Sequence, residues 1–215
     1  MKALDLIFEN SCLICNESSN NLLVCNKCEN DFTEREKNHT KHFEEITVFS
    51  WGLYDGKLRD GILNLKAGKK KLATYFTNRL TKFWNNISQQ IKNNDYLIIP
   101  VPSHKKRIEE RGYCQSSLIA KGFARNIGKE FSAQVVIRNK ETKYMNSLNN
   151  INERAANIKN AFTLINSIKK EKCILIIDDI LTSGSTMCEL ARTIHRNYSE
   201  ISLLGLTIAS GDRYD

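Results

Sequence analysis

The sequence predicts an α/β protein with a mostly parallel sheet, carrying a small four-cysteine unit near its N-terminus. Three observations lead there. Apolar strand-like runs alternate with helix-like stretches from residue 46 onward, which is the pattern of strands joined by crossover helices. The runs DYLIIPV (95–101) and KCILIID (172–178) are largely apolar, as strands buried on both faces are. Two CxxC pairs, Cys12/Cys15 and Cys25/Cys28, fall within 17 residues.

The elements follow in order. Residues 1–11 read as a short amphipathic helix with Leu4, Ile7 and Phe8 on one face. The polar, charged stretch 31–45 reads as a linker or exposed helix. Composition changes at Ile46, dividing the chain into a cysteine region with linker, 1–44, and a main domain, 45–215. ITVFSWGL is a strand and Asp55-Gly56 a turn. Leu58, Ile62 and Leu65 then mark a helix. Leu72, Phe76, Leu80, Phe83, Ile87 and Ile91 mark a longer one with a core-facing stripe. After the 95–101 strand, Gly112 to Phe131 reads as a helix and QVVIR as a short strand. Residues 139–160 lack clear periodicity. Ser185 to Asn197 is a helix, and ISLLGLTIA the last strand.

The bulk numbers set limits. The chain has 215 residues, 41% of them hydrophobic, and only two prolines, so it can bury a sizeable core and long disorder is not expected. Its formal net charge of +8 favours anionic partners: phosphorylated metabolites, nucleic acid or an anionic surface. No run of about 20 apolar residues is present to span a bilayer. Asp5 and Glu9 interrupt the N-terminal apolar stretch, unlike a signal peptide, so a cytoplasmic location is expected. In a reducing compartment cysteines serve as metal ligands or small apolar residues more often than as disulfides.

The cysteine pattern points to zinc. Four thiolates complete a tetrahedral site, and two CxxC turns can each offer two sulfurs to one metal. A redox dithiol is the competing reading, but it expects a βαβ context that Cys12, Cys15, Cys25 and Cys28 lack. Such closed sites are structural. His39 and His42 lie nearby and read as solvated residues, while Cys173 and Cys188 read as core.

The most informative segment is Ile174 to Thr186. A buried strand delivers Asp178 and Asp179, and the turn Thr182-Ser183-Gly184-Ser185-Thr186 then opens a helix. Free amides at a helix N-terminus hold phosphate. Gly184 allows close backbone approach, and four hydroxyls can donate. Two carboxylates would repel phosphate, so they face something else; a ribose diol, with Mg²⁺ assisting, fits them. There is no GxGxxG and no GxxxxGK[ST]. An ordinary strand-to-helix turn would explain one capping hydroxyl, not this set. A second basic segment follows the 95–101 strand: Pro100 and Pro102 pin the backbone, and His104, Lys105, Lys106, Arg107 and Arg111 concentrate positive charge.

At Ile174–Thr186 the chain resembles the type I phosphoribosyltransferases, whose signature is an apolar strand, two acids and a T-x-G-x-T-like loop. The order of the pieces resembles the ComF family: the cysteine knuckle, Tyr54-Asp-Gly56-Lys-Leu-Arg59, Pro100 to Gln115, Arg154-Ala-Ala-Asn157-Ile-Lys-Asn-Ala161-Phe162, and the terminal loop. Leu65-Lys66-Ala67-Gly68 and Cys114 depart from it, where relatives often carry tyrosine and asparagine. The resemblance implies a type I phosphoribosyltransferase fold. It implies Asp178 and Asp179 on the ribose hydroxyls of phosphoribosyl pyrophosphate (PRPP), as the catalytic pair, and residues 182–186 around the 5′-phosphate. Ser103, His104, Lys105, Arg107, Arg111 and Lys66 would face the pyrophosphate, with Mg²⁺. The implied activity is pentosyl transfer with release of pyrophosphate, in natural transformation. The alternative is a non-catalytic DNA-uptake factor that binds single-stranded DNA or a helicase partner, with Lys57, Arg59, Lys66 and Lys69–Lys71 contributing.

Overall fold

A computed structural model describes residues 11–87, 91, 94–142, 151–168 and 173–211, with the backbone alone for 33–38 and 151. The helix expected over residues 1–11 lies almost wholly outside them. Strands β1 (Glu36–His42), β2 (Thr47–Leu53), β3 (Tyr96–Pro100), β4 (Glu130–Phe131), β7 (Cys173–Leu181) and β8 (Leu203–Ser210) form one sheet, in the order β1-β2-β8-β7-β3-β4. All neighbours are parallel except β1, which runs antiparallel to β2. Strands β5 (Val136–Arg138) and β6 (Phe162–Leu164) form a separate antiparallel pair. The expected α/β architecture with a mostly parallel sheet is what the chain adopts.

Alternation along the strands explains the layers, because successive side chains leave opposite faces. Leu175 and Ile177 join one buried cluster, Ile174 and Ile176 the other. Tyr96 and Ile98 likewise oppose Leu97 and Ile99. Both faces are covered, so both sets are apolar and the strands read as unbroken runs. Helices α2 (Gly56–Lys66), α3 (Lys71–Asn85) and α5 (Gln115–Ile127) supply the first cluster through Leu58, Ile62, Leu72, Phe76, Leu80, Ile119 and Phe123. Helix α7 (Ser185–His195) supplies the second through Leu190, Ala191 and Ile194. Helix α6 (Ile151–Ile158) contributes Ile158, and the small β5–β6 pair Val136 and Phe162.

Two expectations are corrected. Residues 31–45, expected as a linker or exposed helix, are helical only as far as Arg35: helix α1 (Asn26–Arg35) runs into β1, which is an edge strand of the sheet. The sequence EKNHTKH carries no apolar residue because an edge strand needs only backbone pairing, and its charges deter further pairing. Gly112 to Phe131 is not one helix either. Gly112, with φ of 76°, ends the short helix α4 (Lys105–Arg111), and Gly128, with φ of 66°, ends α5. Both are left-handed caps that glycine adopts without a Cβ penalty.

The cysteine unit packs into the first cluster. Cys12, Ile14, Val24, Cys25, Cys28 and Phe32 are buried together with Trp51, Leu58 and Phe76. The rings of Phe32 and Trp51 meet edge to face, 5.9 Å apart.

Candidate functional site: a carboxylate pair and a hydroxyl loop at the sheet switch point

From β3 the chain moves outward to β4, but β7 enters on the opposite side of β3. Parallel sheets open a crevice where the winding direction reverses, beyond the strand C-termini. The loops that leave β3 and β7 lie side by side there, since Pro100 pairs with Ile177 and the Val101 amide donates to the Ile177 carbonyl at 2.9 Å. The segments singled out in the sequence, 102–107 and 178–186, border this crevice.

Asp178 and Asp179 follow the fully buried run Ile174–Ile177 of β7. The Asp179 amide donates to Asp178 Oδ1 at 2.9 Å, and Lys66 Nζ from the C-terminus of α2 lies 3.0 Å from Asp179 Oδ2. Burial would lower the pKa of the Lys66 ammonium, but Asp179, with Asp178 behind it, holds it above its ordinary value. Burial and the neighbouring Asp179 push the Asp178 carboxyl up to about 8, against the opposing pull of the Asp179 amide, Lys66 and Arg138. A carboxyl with a raised folded-state pKa weakens the fold progressively as pH rises from about 4 to about 8. Asp178→Asn is therefore expected to be more stable than the parent at pH 8, by about 1–3 kcal/mol, and to lose that advantage near pH 4. Urea unfolding at both pH values measures it; a difference independent of pH would contradict the electrostatic origin.

The hydroxyl loop follows. Gly184 has φ of 77° and precedes the first turn of α7, whose leading amides have no intrahelical acceptor. A Cβ at Gly184 would also run into the ring of Phe43, which packs against the loop. Ser183 and Ser185 share a hydrogen bond of 2.9 Å. Thr182, Ser183, Ser185 and Thr186 are all partly exposed. The result is a ring of hydroxyls and amides beside a carboxylate pair, suited to a phosphate and a vicinal diol on one molecule.

The basic segment is less concentrated than its sequence. His104 caps α4, its ring accepting from the Lys106 amide at 3.4 Å. Lys105 points to solvent, with 86% of its side chain exposed, and pairs with Glu109. Lys106 pairs with Glu141. Arg107 donates to the Thr142 carbonyl at 2.9 Å. Arg111 closes α4 beside the Gly112 cap, and Ser103 Oγ donates to Cys114 Sγ at 3.3 Å. Lys66 therefore makes a direct ion pair with the carboxylates, whereas Lys105 pairs within its own helix.

Sequence reading missed Arg138. Its guanidinium donates to the Thr142 hydroxyl, so Arg138 and Arg107 meet at one residue. Burial and the positive charge of Arg107 lower Arg138 to about 10, while Asp178 opposes this. Its Nε is buried with no partner among the described residues. An arginine ending a three-residue strand carries no signal of this in one sequence.

The four cysteines form a second site. Their sulfurs all lie within 4.8 Å of one another, with Cys12–Cys28 at 3.9 Å and Cys15–Cys25 at 3.6 Å. Tetrahedral zinc with bonds of about 2.3 Å would set sulfurs about 3.8 Å apart, so the donor set fits one such ion. The Ile14 and Cys25 amides donate to Cys12 Sγ at 3.4 and 3.3 Å. Burial would raise the Cys12 thiol, but the backbone donors hold it down to about 7, which favours the thiolate a metal needs.

Comparison with known proteins gives related names. Over 116 residues the chain is 34% identical to competence protein F of Haemophilus influenzae, covering 52% of this chain and 50% of that protein. The chain resembles competence protein F. Over 100 residues it is 33% identical to DNA utilization protein YhgH of Shigella flexneri and 32% identical to that of Escherichia coli K12, covering 46% of this chain and 43% of each. The chain thus spans about half the length of the curated relatives it matches. Among solved structures it matches adenine phosphoribosyltransferases of Trypanosoma brucei, with a TM-score of 0.35, 11% identity and 80% and 86% coverage, and of Leishmania tarentolae, with 0.37, 11% and 81% and 95%. No protein-family model matches the chain. Among the described residues no helix is long and apolar enough to cross a membrane.

Proposed function

We propose that this chain is a competence-associated protein that binds PRPP with Mg²⁺ in the crevice between β3 and β7, and that it transfers the phosphoribosyl group with release of pyrophosphate. The observation that carries this is the Asp178–Asp179 pair beside the loop 182–186 at the sheet switch point, with Lys66 held 3.0 Å from Asp179. In this reading the loop amides and hydroxyls hold the 5′-phosphate, and the carboxylates accept from the two ribose hydroxyls. Mg²⁺ neutralises pyrophosphate charge. Lys66, Arg107, Arg111, Ser103 and His104 face the leaving group and stabilise the charge that develops on it. Lys105 reaches it only by leaving Glu109. The four thiolates hold zinc in a structural role, since Cys12 and Cys28 are fully buried and Cys25 nearly so.

Calorimetric titration of the zinc-loaded protein with PRPP and Mg²⁺ tests the reading, with Asp178→Asn/Asp179→Asn alongside. The parent is expected to bind in the micromolar range and the double variant at least a hundredfold more weakly, as replacing two charged acceptors of a diol by neutral amides, each with only one acceptor oxygen, costs about 3 kcal/mol or more. A folded parent that does not bind sinks the enzyme reading.

A second reading is favoured by the names of the relatives and by the net charge of +8: a DNA-uptake factor that binds single-stranded DNA or a helicase partner without catalysis. Its signature is affinity for an oligonucleotide that falls steeply with salt, whereas PRPP binding depends on Mg²⁺.

A further inference from the structure

Helix α2 has two neighbours of different kinds. At its C-terminus Lys66 reaches the carboxylate pair. Two residues earlier, Asn64 Nδ2 donates to the carbonyls of Leu13 and Ile14, at 3.0 and 3.1 Å, inside the first CxxC turn. Just beyond the helix, Lys69 Nζ donates to the same Leu13 carbonyl at 3.0 Å and to Asn16 Oδ1 at 3.0 Å. Asn64 and Lys69 are themselves joined, the Lys69 amide donating to the Asn64 carbonyl at 3.0 Å. Lys66 therefore sits in the middle of a turn clamped at both ends onto one peptide of the cysteine unit.

The packing continues this contact. A Cβ at Gly61 would stand 3.0 Å from Phe76 Cζ and 3.1 Å from Ile14 Cδ1, so the bare Gly61 face of α2 packs closely on the Ile14 side chain of the CxxC turn. The Lys57 amide donates to Asp31 Oδ2 at 3.0 Å, pinning the other end of α2 to α1. On the far side of the turn, the Tyr113 hydroxyl donates to the Leu65 carbonyl, and Lys70 Nζ lies 4.8 Å from the centre of the Tyr113 ring. A turn held on both flanks does not move without moving its anchors. The CxxC peptide that holds it carries Cys12 and Cys15, whose place a bound metal would fix.

We infer that the cysteine unit sets the position of Lys66 in the crevice through Asn64 and Lys69, so that metal on the four thiols and a phosphorylated sugar in the crevice strengthen each other's binding. Asn64 and Lys69 are positioning residues: they touch neither ligand and act through Lys66. The ligand half of this inference rests on the PRPP reading; the positioning half does not. Because linkage is reciprocal, each ligand must change the affinity of the other by the same factor.

The test uses the zinc-loaded full chain and the variants Asn64→Ala, Lys69→Met, Lys66→Met and Asn64→Ala/Lys66→Met. Three quantities are measured: PRPP affinity with Mg²⁺, the rate of zinc loss to a coloured chelator with and without PRPP, and the rate at which Lys66 is acetylated in the ligand-free protein, followed by mass spectrometry. Asn64→Ala and Lys69→Met are expected to weaken PRPP binding about fivefold or more and to speed Lys66 acetylation several-fold. PRPP is expected to slow zinc loss from the parent about fivefold, and not from Asn64→Ala. In the Lys66→Met background the effect of Asn64→Ala on affinity should vanish; a loss of equal size there would mean general loosening of the fold and would overturn the proposal. Unchanged Lys66 acetylation in both clamp variants would overturn it as well. If the parent binds no PRPP, the proposed function and the ligand linkage fail together, and the acetylation rates still decide whether the cysteine unit positions Lys66.

Discussion

Cys12→Ser should unfold a large part of this protein, not only its N-terminal region. Cys12 is fully buried, among Ile14, Cys28 and Phe32, and that group is continuous with Trp51, Leu58 and Phe76 under the sheet. The substitution removes one of the four thiols proposed to hold a metal and leaves a hydroxyl in an apolar site where the Ile14 and Cys25 amides had a sulfur acceptor. A buried, poorly paired hydroxyl costs about 1–3 kcal/mol, and the lost metal contribution adds to it. The expected total is about 4 kcal/mol or more, a large share of the stability of a domain this size. Chemical denaturation and metal content per chain measure it. Cys173→Ser is the control: Cys173 is partly buried and outside the cluster, so metal content should be unchanged and the loss about 1 kcal/mol or less. A Cys12→Ser protein with full metal content and parental stability would refute the assignment of the ligand set.

If the crevice binds PRPP as proposed, Gly184→Val should abolish that binding while leaving most of the sheet intact. Two independent constraints fix this glycine. Its φ of 77° is a conformation that a β-branched residue adopts at a cost of about 1–2 kcal/mol. Its missing Cβ is also the space into which the Phe43 ring projects. The loop must therefore shift, and with it the Ser183–Ser185 hydrogen bond and the leading amides of α7. Stability should fall by about 3 kcal/mol and affinity for PRPP more than a hundredfold. Gly184→Ala in a Phe43→Ala background separates the causes, because the ring is gone and only the backbone penalty remains. An equal loss with and without the ring would mean that Phe43 does not constrain the loop.

What could be read from the sequence follows from the physics of each segment. β3 and β7 were legible because a strand buried on both faces is nearly all apolar, and the carboxylates and hydroxyls that end β7 interrupt that run. α3 was legible because its buried residues recur with helical spacing. α6 was not: it is eight residues long, and one of its buried positions is Arg154, so no apolar stripe marks it. β1 was not, because pairing with β2 makes it a strand and its own side chains say only that it is polar. The crevice was half legible. Adjacent residues such as Asp178 and Asp179 declare themselves; Lys66, from an element distant in sequence, was named only through the family resemblance, and Arg138, likewise distant, was not named at all. Proximity of that kind is a property of topology, not of composition.

The pairing of β2 has a consequence for how the chain is made. β2 has β1 on one side and β8, about 150 residues later, on the other, with Ser50 and Thr207 hydrogen-bonded at 2.7 Å across that junction. A ribosome adding about 5–20 residues per second leaves Val48, Phe49 and Trp51 without their parallel neighbour for roughly 8–30 s. During that interval the nascent strand is an open, apolar edge, the kind of surface that aggregates or recruits chaperones. The last described strand thus closes the open side of β2, and shortening the chain before Leu203 should release insoluble protein in place of a smaller folded one.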